Sequence, residues 1–414
     1  MNTYKPSNIV LYPEKKVKKK YRFHIPGFLH LPCAARYYPC AFTNKLLKFT
    51  DMMMSLGHEV YMYAAEGSDV KCIEFIQTHT LQDIRDVYGE GDKNFEIGYD
   101  WTKTPDATFK FDTGGGKKEV DLQNRVMIKM TNEINKRVRD DDFIIFSMGT
   151  FHQLIYDNVK KTILKVENGV AVRNTMCRFK AYESDFFRNF ELGLRTVGKD
   201  TPNGAFYDRT IPNYFRPEEF PISEVKVNKK DRGINGKEFI LYVGRLIPRK
   251  GINIAVRLAQ ETKTKIIMAG QGGLTGVSPY VKMVGILDPV KRSYYMSRAK
   301  AVIVPTVYVE PFGGVAVEAM LSGTPILTTN FGVFPEYNIN GVTGYTCDLF
   351  RDFIRALDKV DGLDRMIIRK HAERYLMDNV KWEFQKWFDE LYQFYLGVNT
   401  GDKKTQENIW FEKF

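Results

Sequence analysis

The C-terminal half of the chain alternates short apolar runs with helical spacings. Positions 239–243 form an apolar run that stops at Gly244, which predicts a buried strand. Helical spacing follows over 252–260, and a second apolar run at 265–269 stops at Gly270. Further strands are predicted at 281–287, 301–304 and 325–329, with helices over 289–299 and 315–321. Pro289 falls in a first turn, where proline is tolerated. Strands that are apolar throughout and alternate with helices predict a parallel, doubly wound sheet covered on both faces.

The N-terminal half is less regular but similar. A helix is predicted over 42–56, a strand over 58–64, a long amphipathic helix over 119–139, strands over 142–147 and 162–166, and helical spacing over 181–190. Residues 88–118, rich in Gly, Asp, Lys and aromatics, read as a long excursion from the core. Residues 211–221 contain three prolines and precede the charged stretch 226–237, which predicts a linker between two lobes. Residues 380–396 form a helix dense in aromatics, Trp382, Phe384, Trp387, Phe388, Tyr392 and Phe394, that must pack on something large.

Length and composition add bounds. A chain of 414 residues exceeds one ordinary domain. No apolar run reaches the ~18 residues of a membrane span, and the first residues lack a signal-peptide pattern. Five cysteines, an odd number without a Cys-x-x-Cys pair, argue against a disulfide framework and a zinc site, so a cytoplasmic setting is expected. The net charge is +11, and Lys15, Lys16, Lys18, Lys19 and Lys20 form a cationic run. An anionic small molecule, peripheral contact with the cytosolic face of a membrane, and a merely solvated basic surface all fit. No nucleic-acid motif accompanies the charge, so nucleic acid is not an expected partner.

Three constellations carry candidate chemistry. Gly244-Arg245 ends a strand and Lys250-Gly251 opens a helix, placing two cations where open α/β sheets bind ligands; a diphosphate suits them. Glu310-Pro-Phe-Gly-Gly-Val-Ala-Val-Glu318 puts one carboxylate in a loop and another a turn into an apolar helix, whose start at Gly313 and Gly314 exposes backbone N–H groups. Buried there, Glu318 needs a partner; a ribose diol or an internal arginine would serve. Gly332-Val-Phe-Pro-Glu336 follows the last strand and could close the same cleft. Asp140-Asp141-Asp142 fits an Asp-x-Asp metal pattern but precedes a strand, so it reads as a solvated acidic turn; no metal and no cofactor are expected. Gly270-Gln-Gly-Gly273 is not a dinucleotide loop, since no Gly-x-Gly-x-x-Gly opens a helix there.

Together these pieces resemble a known family. Residues 239–345 are similar to the donor domain of retaining glycosyltransferases of family 4, through Gly-Arg-x(4)-Lys-Gly at 244–251, Glu-x(7)-Glu at 310–318, and Gly332, Pro335 and Glu336 of a Gly-Gly-x-Pro-Glu element whose second glycine is Val333 here. Ile211-Pro-Asn-Tyr-Phe215 looks like the segment before the family's interlobe linker, and the aromatic helix like the one that crosses back to the N-terminal lobe. Cys40-Ala-Phe-Thr and Val166-Glu-Asn-Gly169 are similar to a subgroup of bacteria and large viruses.

The resemblance implies the GT-B architecture: two Rossmann-like doubly wound domains facing a cleft. Residues 1–215 would form the acceptor-side domain, 216–379 the donor domain, 380–396 the returning helix and 397–414 a tail. It implies metal-independent transfer from a UDP- or GDP-linked sugar to a glycan, polysaccharide or lipid-linked sugar, with retention. Arg245 and Lys250 would bind the diphosphate and Glu318 the ribose. Glu310 would contact the donor sugar as a positioning and electrostatic group. Gly244, Phe312, Gly313, Gly314 and Val315 would add donor contacts, and backbone around Gly285 would meet the base. His152, and secondarily His30, would approach the donor sugar. Two alternatives stay open: a nucleotide-sugar epimerase or hydrolase of the same fold, and a non-catalytic nucleotide-sugar-binding protein.

Overall fold

A computed structural model describes residues 17, 19–89, 116–160, 163–197, 207–226, 233–234, 236–274 and 278–400. The excursion at 88–118, the tail and Lys15, Lys16 and Lys18 fall largely or wholly outside these residues. The N-terminal lobe runs β1 (Arg22–Pro26), α1 (Ala41–Ser55), β2 (Glu59–Ala64), β3 (Glu74–Gln77), α2 (Leu81–Tyr88), α3 (Lys117–Arg137), β4 (Phe143–Phe146), α4 (Gln153–Asn158), β5 (Leu164–Val170), β6 (Phe179–Tyr182), α5 (Asp185–Arg195) and β7 (Arg209–Thr210). The C-terminal lobe runs α6 (Ile222–Val225), β8 (Ile240–Val243), α7 (Ile252–Thr262), β9 (Ile266–Ala269), β10 (Val281–Gly285), α8 (Pro289–Arg298), β11 (Ala301–Val304), α9 (Gly314–Leu321), β12 (Ile326–Thr329), β13 (Gly344–Cys347), α10 (Phe350–Lys359) and α11 (Arg365–Ala372). A last helix, α12, spans Met377–Thr400.

Each lobe is a parallel sheet with helices on both faces, as its apolar strands demand. The strand orders are β3-β2-β1-β4-β5-β6-β7 and β10-β9-β8-β11-β12-β13. Each order reverses once, between β1 and β4 and between β8 and β11, and such reversals leave a crevice at the carboxyl ends of the strands.

The periodicity at 181–190 is corrected by the structure. Ala181 and Tyr182 belong to β6, and the helix starts only at Asp185, where the Ser184 hydroxyl accepts the Phe187 N–H. Asp142, expected on a solvated turn, is buried and pairs with His24 (2.9 Å) and Arg22 (3.2 Å). All five thiols are free. Among the described residues no helix is long and apolar enough to cross a membrane.

The lobes are joined by two chain crossings that bond to each other. Phe215 N–H donates to the Tyr375 carbonyl at 3.0 Å and Met377 N–H to the Phe215 carbonyl at 2.9 Å. The proline-rich segment is therefore a buried seam, with Ile211, Tyr214 and Phe215 all inside. Beyond it α12 lies on the N-terminal sheet. Val380, Phe384, Trp387, Phe388 and Leu391 recur at helical spacing and enter the core formed by β1, β4 and α1. The ring of Phe388 sits 4.8 Å from that of Phe23, and Trp387 Nε1 donates to the Tyr207 carbonyl. Lys19, the described part of the cationic run nearest this helix, stands over Tyr392 at 3.9 Å and pairs with Asp141.

Candidate active site

A cleft of about 430 Å³ opens between the lobes beside the β8/β11 reversal. Its C-terminal wall comes from the β8–α7 loop, the start of α8 and the β11–α9 loop; its N-terminal wall from the start of α1, Glu183 and Asn213–Phe215. Because β8 and β11 are neighbours, the two loops predicted to carry chemistry lie side by side.

Glycines make that approach feasible. Gly251 opens α7 at φ +75°, and a Cβ there would stand 1.9 Å from the Pro305 carbonyl oxygen. Gly313 caps α9 at φ +72° and packs so closely on Tyr337 that a Cβ would meet its hydroxyl at 2.6 Å. No side chain caps α9, so its first N–H groups at Gly314 and Val315 face the cleft wall without a capping side chain.

The charges are arranged in pairs. Lys250 lies 2.6 Å from Glu310, whose carboxylate also accepts from the Tyr308 hydroxyl at 2.7 Å. Burial alone would raise the Glu310 carboxyl, but Lys250 and then Tyr308 hold it below its ordinary value. Arg292 pairs with Glu318 at 2.9 Å; there burial prevails and the carboxyl is raised, against Arg292 and Lys48. Lys48 faces Glu219 at 3.6 Å, and a buried Lys45 pairs with Glu183.

One cleft cation is left over. Arg245 lines the cleft, and among the described residues no carboxylate lies within ion-pair distance of it. Burial, then the neighbouring Arg249 charge, depresses its pKa. A desolvated guanidinium beside a like charge is the electrostatic signature of a site completed by an anion.

Of the residues singled out in the sequence, Gly244, Arg245, Glu310, Phe312, Gly313, Gly314, Val315 and Glu318 line the cleft together. Four of the expected residues lie outside the cleft lining. Lys250 is not among the lining residues; its ammonium holds Glu310. Gly285 does not line it either, since its carbonyl accepts from Gly270 N–H at 2.8 Å, and Ile286 and Leu287 form that part of the wall. His30 and His152 do not reach the cleft. Both are buried in the N-terminal lobe, where His152 Nε2 donates to the Gly27 carbonyl at 2.9 Å and His30 Nε2 contacts Cys40 Sγ at 3.3 Å. Burial holds them neutral, with pKa values lowered to about 4 and about 3. Sequence reasoning missed Tyr308, Arg292, Lys45 and Lys48. Only the spacing of Tyr308, two residues before Glu310, could have flagged it.

Residues 224–364 match the family model described as glycosyl transferases group 1. The C-terminal lobe holds a glycosyltransferase group 1 domain. Its wider relatives agree. An uncharacterized glycosyltransferase of Methanocaldococcus jannaschii is 31% identical over 198 residues, covering 42% of this chain and 48% of that protein. A glycogen synthase of Mycobacterium tuberculosis is 35% identical over 127 residues, covering 27% and 30%. The matched part thus spans about half the length of the first and under a third of the second. Solved structures share the whole two-lobed fold around the group 1 domain. A glycosyltransferase involved in avilamycin A biosynthesis superposes with a TM-score of 0.59 at 16% identity, covering 90% of this chain and 98% of that one. An Anabaena protein solved with UDP and glucose superposes at 0.55 with 14% identity, covering 88% and 98%.

Proposed function

We propose that this chain transfers a sugar from a nucleoside diphosphate sugar to a hydroxyl acceptor, with retention and without a metal ion. The observation that carries the reading is Arg245, a half-buried cleft cation with no carboxylate within ion-pair distance among the described residues, beside the open start of α9. A diphosphate supplies the missing charge and accepts from the α9 N–H groups. The bond from the anomeric carbon to the phosphate oxygen breaks, and Arg245 stabilises the charge that develops on the leaving diphosphate. A bond from the anomeric carbon to the acceptor oxygen forms on the same face, and the acceptor proton passes to the departing phosphate. Glu310, kept ionised by Lys250 and Tyr308, orients the donor sugar and faces its developing positive charge. Glu318 receives the ribose hydroxyls while remaining on Arg292. UDP is the first nucleotide to try, given the UDP bound in the Anabaena structure, with GDP second.

Calorimetric titration with UDP, GDP and ADP in EDTA tests this. One nucleotide is expected to bind in the micromolar range and to lose most of its affinity in Arg245→Ala. Binding that needs a divalent ion removes the metal-free part of the reading, and no binding at all removes the donor site.

A further inference from the structure

The third constellation read from the sequence, Gly332-Val-Phe-Pro-Glu336, does not line the donor cleft. It meets the other lobe instead. The Glu336 carboxylate accepts the Phe186 N–H at 2.5 Å, across 150 positions of the chain. Phe186 lies in the first turn of α5, where N–H groups have no partner inside the helix. A carboxylate there is also favoured by the helix dipole. Glu336 thus caps α5 from the opposite lobe. Partial burial raises its carboxyl, against the Phe186 N–H, and Asp185 and Arg188 are the charges that face it.

A second bond runs the other way. The buried Ser184 hydroxyl, which already accepts the Phe187 N–H at 3.1 Å, donates to the Pro311 carbonyl at 2.6 Å. Pro311 directly follows Glu310. The rings of Phe186 and Phe331 add an edge contact between the same two pieces, with centroids 6.4 Å apart.

All three contacts enclose the loop that carries Glu310. On one side Gly332, at φ +67°, packs so closely that a Cβ would stand 3.3 Å from the Glu310 backbone nitrogen. On the other side Ser184 holds Pro311. The turn that places Ser184 also carries Glu183, which lines the donor cleft with its partner Lys45. Lys250 and Tyr308 hold the Glu310 carboxylate. The backbone beneath it lies between α5 and the loop after β12, and Glu336 ties those two pieces together.

We infer that Glu336 is a positioning residue: by capping α5 from across the lobes it closes a clasp, with Ser184, that fixes the backbone of the Glu310 loop where the donor sugar reacts. A charged group placed this way acts at one geometry only, so its support decides how well it serves the reaction. The inference rests on the donor reading, which gives Glu310 its role.

The test is hydrogen exchange of the full chain, read by mass spectrometry over residues 184–190 and 305–313, with 240–269 as the reference. Glu336→Ala is expected to speed exchange about tenfold in both segments and to leave the reference unchanged. Glu336→Gln keeps an oxygen for the Phe186 N–H and is expected to stay within about threefold of wild type. Ser184→Ala should loosen 305–313 as well, and the double variant with Glu336→Ala little more than either alone, because one clasp is lost in each. A change confined to 184–190 would make Glu336 a helix cap and nothing more, and overturns the inference. Equal losses in Glu336→Gln and Glu336→Ala, or additive losses in the double variant, overturn it too. Glu336 is exposed, and its variants are expected to keep the wild-type circular dichroism. The exchange comparison needs no nucleotide. Calorimetry with UDP, GDP and ADP is read separately, so failure of all three removes the donor reading while exchange still decides the clasp.

Discussion

The ammonium of Lys250 lies 2.6 Å from the carboxylate of Glu310, although sixty positions separate them in the chain. Tyr308 completes the arrangement from the other side of the carboxylate. Glu310→Gln is expected to lower turnover about 100-fold while changing nucleotide affinity little, because in the proposed reaction the charge acts on the sugar in the transition state. A steady-state assay together with nucleotide titration separates the two effects.

Removing the supports of Glu310 moves its titration in a defined direction. The carboxyl sits below its ordinary value because Lys250 and Tyr308 favour the ionised form. Tyr308→Phe and Lys250→Met both raise it, so the acid limb of the pH–rate profile shifts to higher pH, further for Lys250→Met. A limb that stays in place in both variants would show that another group titrates there.

Glycine geometry predicts two unequal substitutions. Gly251→Ala sets a methyl carbon against the Pro305 carbonyl in addition to a left-handed φ, and costs roughly 3 kcal/mol or more. Gly285→Ala has the same sign of φ (+70°) but open space around it, and costs about 1–2 kcal/mol. Denaturant unfolding of both variants compares them directly; equal losses would mean that the close approach at Pro305 relaxes freely.

The returning helix stabilises the lobe it lands on. Trp387 is 1% exposed and lies among Phe388 and the N-terminal sheet. Trp387→Ala is expected to destabilise by about 3–5 kcal/mol through lost burial and a cavity. Hydrogen exchange should report the loosening in β1 and α1, with the C-terminal sheet unaffected.

Acid sensitivity follows from the buried histidines. His152 and His30 are neutral in the fold, at about 4 and about 3, whereas an unfolded histidine titrates near 6.5. Below pH 6.5 the unfolded chain takes up protons that the fold refuses, so their contribution is full above 6.5 and is lost as pH falls toward 4. His152→Gln retains a donor for Gly27 and does not titrate. The melting temperatures of wild type and variant should converge or cross as pH drops through this window; a constant difference would remove His152 from the account.

The amino-acid sequence alone determined the α/β alternation, the two-lobed organisation and the loops that carry Arg245, Glu310 and Glu318. Those signals are local: an apolar run ended by glycine, a helix opened by glycine, a spacing of eight positions. The tertiary structure alone decided which groups meet. The order β9-β8-β11-β12 brings the loops after β8 and β11 together, and strand order is not written in hydrophobic periodicity. It therefore took the fold to pair Lys250 with Glu310 and Arg292 with Glu318, and to leave Arg245 facing the cleft. Burial, likewise a property of the whole, moved His30 and His152 from site to core. The helix from Met377 advertised its aromatic face in sequence, but only packing named its partner, the lobe most distant from it along the chain.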